Sequence, residues 1–216
     1  MKKLVIFDLD GTLFNTTVAM RDCGNYALEK IGLPLLTAED YARFSGADVE
    51  GFIKAILYAA GDEKAEHYDT FWHLYKEKNL LLADSANIPY PGIPSLLSLL
   101  QEKGVGLAVL SNKDHETCVR IVEGAFGKGT FDVIFGGREN IPAKPDPAGA
   151  VELMQKLSLS PEDCLYVGDT EVDMKTGKNA GIDTVAVLWG YRTREILSSY
   201  NPEYMITKPE EILSLV

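Results

Sequence analysis

Two carboxylates, Asp8 and Asp10, follow directly on the apolar run Leu4-Val5-Ile6-Phe7 and precede Gly11-Thr12. A short unbroken run of branched and aromatic residues reads as a buried strand. In an extended chain residues two apart point the same way, so Asp8 and Asp10 leave the strand end on one side. Gly11 permits the turn that must follow. Paired carboxylates at the end of a buried strand repel each other unless a cation stands beside them. The carboxyl end of a parallel strand is also where open α/β sheets bind ligands. Taken alone, the stretch also has a plainer alternative, a solvated acidic turn.

The same combination of apolar run and polar end recurs. The run 105–110 ends in Ser111-Asn112, and the run 164–167 ends in Gly168-Asp169-Thr170, with Asp173 four residues beyond Asp169. Between them Ala143-Lys144-Pro145-Asp146-Pro147 stands at the mouth of an expected helix. Each piece has a plainer alternative. Ser111-Asn112 could cap the helix expected at 114–126, Lys144 could be an exposed loop lysine, and Asp169 and Asp173 could decorate a helix start. Right-handed crossovers bring all these strand ends to one edge of a parallel sheet. Two acidic pairs, a hydroxyl and amide pair and one lysine are therefore expected to meet there.

The elements that must position them follow from periodicity. Ala19, Cys23, Tyr26, Ala27 and Ile31 recur at three- and four-residue steps, as on one buried helix face, and Gly32-Leu33-Pro34 stops that helix. Thr37 reads as an N-cap with Asp40 three residues on, and further helices are expected over 48–60 and 64–79. From Pro89 onward strands at 105–110, 131–135, 164–167 and 183–187 alternate with helices at 93–102, 114–126, 147–157 and from about 171 to Gly181. That alternation predicts an α/β fold: a Rossmann-like parallel sheet with helices on both faces, plus an inserted helical cap. The expected division is a core of residues 1–14 and 88–216 and a cap of residues 15–87.

Composition bounds the partners. The 216 residues are 46% hydrophobic and 25% charged, enough for a substantial core. A formal net charge of −11 argues against nucleic acid or an anionic membrane as a main partner. It leaves room for an anionic small substrate held by a metal ion and one or two lysines. Cys23, Cys118 and Cys164 are scattered and odd in number, with no Cys-x-x-Cys pair, and read as core residues. Met1-Lys2-Lys3 leads into an apolar run too short for a signal peptide, and no stretch approaches a membrane span, so the expectation is a cytoplasmic protein. Oligomeric state is not legible.

The four motifs in this order, Asp-x-Asp-Gly-Thr, Ser-Asn, Lys-Pro-Asp-Pro and Gly-Asp-Thr-x-x-Asp, resemble the haloacid dehalogenase-like hydrolase superfamily, and within it the phosphoglycolate phosphatase-like group. The resemblance covers essentially the whole chain. It implies a Mg²⁺-dependent phosphatase acting on a small phosphorylated metabolite, with 2-phosphoglycolate the first substrate to consider. Asp8 would be the nucleophile, forming an aspartyl-phosphate, and Asp10 the general acid and then base. The metal ligands implied are Asp8, Asp10 through its backbone carbonyl, Asp169 and Asp173. Thr12, Ser111, Asn112 and Lys144 would hold the phosphoryl group, the Ser111-Asn112 pair at a helix start. Arg43, Ser45 and Gly46 occupy the position of a cap loop that selects the leaving group, Arg43 being able to fork onto a carboxylate or second phosphate. Trp189-Gly190-Tyr191 is expected to form another loop near the cap.

Other activities fit less well. Ser111 lacks a Gly-x-Ser-x-Gly elbow, and no P-loop or dinucleotide fingerprint is present. His67, His73 and His115 fall on expected helices away from the strand ends. A β-phosphoglucomutase-like phosphomutase stays open, although that group usually carries Glu-Asp where this chain has Asp169-Thr170. Pyrophosphate or a nucleoside monophosphate would suit the same core.

Overall fold

The computed structural model describes residues 1–82 and 87–216. In chain order the elements are β1 (Leu4–Phe7), β2 (Phe14–Asn15), α1 (Thr17–Lys30), α2 (Ala38–Phe44), α3 (Val49–Ala59), α4 (Tyr68–Leu82) and β3 (Ile88–Pro89). There follow α5 (Ile93–Glu102), β4 (Gly106–Asp114), α6 (His115–Phe126), β5 (Val133–Gly137), α7 (Ala148–Leu157) and β6 (Cys164–Gly168). The chain closes with α8 (Glu171–Asn179), β7 (Asp183–Val187), α9 (Arg194–Ser198) and β8 (Tyr204–Ile206).

The six-stranded sheet has the order β5-β4-β1-β6-β7-β8, and every pairing in it is parallel. The chain runs from β1 outward through β4 and β5 on one side, then returns to place β6 on the other. The order therefore reverses between β1 and β6, where ligands sit in doubly wound sheets. Alternation along each strand fills two core layers. Val5, Phe7, Leu107, Val109, Leu165 and Val167 face one way, toward α5 and α6. Leu4, Ile6, Ala108, Leu110, Cys164 and Tyr166 face the other, toward α7. This is the Rossmann-like sheet with helices on both faces that the pattern predicts.

The helices α1 to α4 share their own apolar cluster, in which Met20, Cys23, Tyr41, Ile53, Ile56 and Phe71 are buried. The antiparallel pair of β2 with β3 joins the chain on either side of them. Residues 83–86, within the expected 15–87 insert, lie outside the described residues. The cap of α2 forms as its sequence predicts: the Thr37 hydroxyl accepts from the Asp40 N–H, and the Asp40 carboxylate accepts from the Thr37 N–H. All three cysteines are buried and unpaired, and no helix among the described residues is long and apolar enough to cross a membrane.

Several elements differ from expectation, and the helix expected over 64–79 is Tyr68–Leu82. The strand expected at 131–135 is Val133–Gly137. Asp132 instead bonds Leu107 twice, its N–H to the carbonyl at 2.8 Å and its carboxylate to the N–H at 2.9 Å, before the regular ladder begins. The strand β4 continues past residue 110 to Asp114, and Asp114, not Ser111 or Asn112, caps the next helix by accepting from Thr117 N at 3.1 Å. The edge strand β8 was not anticipated, being only three residues with no alternation to read.

Candidate active site

The register fixes what meets at the sheet edge. Phe7 pairs with Val109 on one side and Val167 on the other, so Asp8, Ser111 and Asp169 emerge from three neighbouring strands. The Asp8 N–H still bonds the Val167 carbonyl at 2.9 Å, which holds the start of the turn in line with the sheet. Gly11 has φ +86°, and a Cβ there would lie 2.3 Å from an Asp169 oxygen. Only glycine lets this turn approach that carboxylate.

Asp8, Asp169 and Asp173 are buried and each offers a carboxylate oxygen, all within 4.8 Å of one another. Lys144 lies among them, its Nζ donating to Asp8 Oδ1 and to Asp173 Oδ1, both at 2.7 Å. Asp173 is held by the α8 cap, its Oδ2 accepting from Thr170 N at 3.0 Å and Thr170 Oγ1 at 2.7 Å. Asp169 accepts from Thr12 Oγ1 at 2.9 Å and from Tyr191 N at 2.8 Å. Asp10 stands at the mouth, where Lys113 Nζ donates to its two oxygens at 3.1 and 3.2 Å.

Burial, and after it the Asp173 carboxylate, push the Asp8 carboxyl up to about 7. Burial, then Asp173 and Asp8, raise Asp169 well above the ordinary carboxylate range. Burial works against the Lys144 ammonium, but Asp173 and Asp8 outweigh it and raise the group well above an ordinary lysine. One lysine thus leaves the three carboxylates undercompensated. An all-oxygen donor set of this kind fits a hard divalent cation such as Mg²⁺, and the residues present can hold one.

A stability prediction follows. Carboxyls raised in the folded state favour protonation there, so their contribution is full at low pH and is lost as pH rises through the folded value. The metal-free protein should lose melting temperature between about pH 5 and about pH 8, and Mg²⁺ should raise it more at the upper end. Melting curves in chelator and in Mg²⁺ at both ends check this. An equal response at the two pH values would contradict the undercompensated cluster.

The remaining expected residues divide. Ser111, Asn112, Ser45 and Gly46 line a cavity of about 60 Å³ that also touches Asp8, Asp10 and Lys144 and is walled by Phe52 and Trp72. Ser111 and Asn112 lie within β4, so they do not open a helix. The Asn112 amide instead ties two loops, donating to Gly46 O at 3.1 Å and Lys144 O at 3.0 Å and accepting from Lys144 N at 2.8 Å. Thr12 is spent on Asp169 rather than turned to the cavity. Arg43 does not reach the cavity either. Its side chain is 68% exposed and pairs with Asp40, three residues back on the same helix. The local partner wins over a distant one. None of His67, His73 and His115 lines the cavity.

Lys113 was not singled out from the sequence. Its place beside Asp10 comes from the irregular stretch between Leu110 and Asp114, where Ser111, Asn112 and Lys113 all line the cavity. Tyr191 lies in the loop expected near the cap and packs against the α1–α4 cluster; its bond to Asp169 and the contacts of Arg192 were missed, because those partners lie far away in sequence.

A family model of haloacid dehalogenase-like hydrolases matches residues 5–187. The phosphoglycolate phosphatase of Aquifex aeolicus (strain VF5) is 31% identical over 214 residues, covering 99% of this chain and 96% of that protein. Pyrophosphatase PpaX of Listeria monocytogenes serotype 4a (strain HCC23) is 29% identical, covering 98% and 95%. A crystal structure from Lactobacillus delbrueckii subsp. bulgaricus ATCC BAA-365, provisionally named phosphoglycolate phosphatase, superposes with a TM-score of 0.85 at 30% identity, covering 98% of this chain and 97% of that one.

Proposed function

The chain belongs to the haloacid dehalogenase-like hydrolase family, and from that premise we propose that it is a Mg²⁺-dependent phosphatase of small phosphate monoesters, with 2-phosphoglycolate the first substrate. The observation that carries this is the meeting of Asp8, Asp169, Asp173 and Lys144 from separate segments, with Asp10 beside them. The substrate follows the relative named phosphoglycolate phosphatase.

In this reading Lys144 fixes the Asp8 carboxylate for in-line attack on phosphorus, giving an aspartyl-phosphate and expelling the alcohol. Asp10 gives its proton to the departing oxygen and then takes one from the water that hydrolyses the acyl phosphate. Lys113 keeps Asp10 in place through its paired hydrogen bonds. Lys144 and Ser111 face the phosphoryl oxygens. The divalent cation would be held by Asp8, Asp169 and Asp173 with the Asp10 carbonyl, and when bound would offset charge on those oxygens. Residues 1–14 and 88–216 form the catalytic core, and residues 15–87 a cap whose Phe52 and Trp72 keep water from the reacting group.

Pyrophosphate is the second reading, favoured by the relatives named PpaX and by the second cation, Lys113, in the cavity. Released phosphate is to be measured with Mg²⁺ on 2-phosphoglycolate, pyrophosphate, glycerol phosphate and sugar phosphates. Turnover of 2-phosphoglycolate well above the others is expected. Preference for pyrophosphate would favour the second reading, and isomerised sugar phosphate without released phosphate would make the chain a mutase.

A further inference from the structure

The Arg192 guanidinium sits where no role in phosphoryl transfer calls for a cation. It follows β7 by five residues and its side chain is 12% exposed. Its Nη1 donates to Ala42 O at 3.1 Å, and its Nη2 to Ser45 O at 2.9 Å and Arg43 O at 3.4 Å. Its Nε donates to Glu171 Oε2 at 2.8 Å. The last carbonyls of a helix lack partners within it, and α2 ends at Phe44. Arg192 supplies partners from a segment about 150 residues away, sharing Ala42 O with the Ser45 N–H at 3.3 Å, and its positive charge suits a helix C-terminus. The next carbonyl along, Gly46 O, is held by Asn112. Core side chains therefore hold the carbonyls of residues 42, 43, 45 and 46.

The segment that carries Arg192 also touches the acidic cluster. The N–H of Tyr191 donates to Asp169 Oδ2 at 2.8 Å, and its hydroxyl shares a hydrogen bond with Thr16 Oγ1 at 2.8 Å, immediately ahead of α1. Trp189 Nε1 donates to Thr12 O at 3.0 Å. Glu171, the ion-pair partner, lies in the first turn of α8, the helix that carries Asp173. One short stretch thus joins the entry to the helical insert, the loop after α2 and the two carboxylates on either side of Thr170.

We propose that Arg192 is a positioning residue that sets the Ser45-Gly46 wall of the cavity against the acidic cluster. Arg192 touches no reacting atom in the structure. It acts through the loop, whose Ser45 and Gly46 face the cavity. A lysine cannot replace it, since one ammonium cannot span three carbonyls and a carboxylate in a planar fork.

The test takes the full-length chain and its R192A and R192K variants. Amide exchange of residues 42–48 is expected to rise in both, with the sheet unchanged. For the preferred phosphate ester, kcat/KM is expected to fall on the order of 10²-fold, the cost of a misplaced substrate contact. Millimolar guanidinium is expected to restore part of the R192A loss and none of the R192K loss. Exchange rising throughout the molecule, or a loop as protected as in the parent, would overturn the proposal. The kinetic arm rests on the phosphatase reading. If the parent hydrolyses no phosphate ester, that reading fails, and the exchange of 42–48 still decides whether Arg192 holds the loop.

Discussion

Asp8→Asn is expected to lower phosphate-ester turnover by on the order of 10⁴-fold or more, while the metal-free protein melts no lower than the parent. The amide is too poor a nucleophile to form an acyl phosphate, so the chemical step is lost. The fold should not suffer. Asp8 is one of three buried carboxylates crowded within 4.8 Å, and it is already driven toward its neutral form by burial and by Asp173. Removing its charge relieves repulsion, and Lys144 keeps Asp173 as its partner. Steady-state rates and melting curves in chelator check the two halves together. A variant with parental rates would remove Asp8 from the chemistry.

Lys144→Met should lose less activity than Asp8→Asn, and should differ from it in stability. The ammonium is the only side-chain cation bonded to Asp8 and Asp173 among the described residues. Without it, three buried carboxylates face one another with no counter-ion. Breaking a buried pair by removing one partner costs about 3–5 kcal/mol, and the loss of phosphoryl stabilisation costs about 10²–10³-fold in kcat. The metal-free variant should therefore melt well below the parent, and Mg²⁺ should recover a larger share of its stability. Two partners in one 2.7 Å contact thus shift metal-free stability in opposite directions. Equal melting temperatures for the two variants would mean that the cluster is not governed by its excess negative charge.

The sheet was legible because its strands are unbroken apolar runs with abrupt polar ends, and the helices because each keeps a buried face. What the sequence hid lies mostly in contacts between distant segments. Arg192 reads as a loop arginine until the fold sets it beside residues 42–45. Thr12 looks available for phosphate, yet a buried carboxylate with few donors takes its hydroxyl. Arg43 looks free to reach a substrate, yet Asp40, three residues back on the same helix, takes its guanidinium. Ser111 and Asn112 look like a cap because the pattern turns polar there, but the strand runs on through an irregular stretch to Asp114, which does the capping. Lys113 is hidden for a similar reason, since the irregular stretch between Leu110 and Asp114 turns it to the cavity beside Ser111 and Asn112.

The central claim is that the Asp8 carboxylate captures phosphorus. Asp10→Asn enzyme, mixed with Mg²⁺ and an aryl phosphate, whose leaving group needs no proton from Asp10, and quenched within a single turnover, should carry an acyl phosphate. Borohydride reduction should then convert residue 8, and no other aspartate, to homoserine, as read by peptide mass spectrometry. Product released in that turnover with residue 8 unreduced, or homoserine at a different aspartate, would contradict the mechanism.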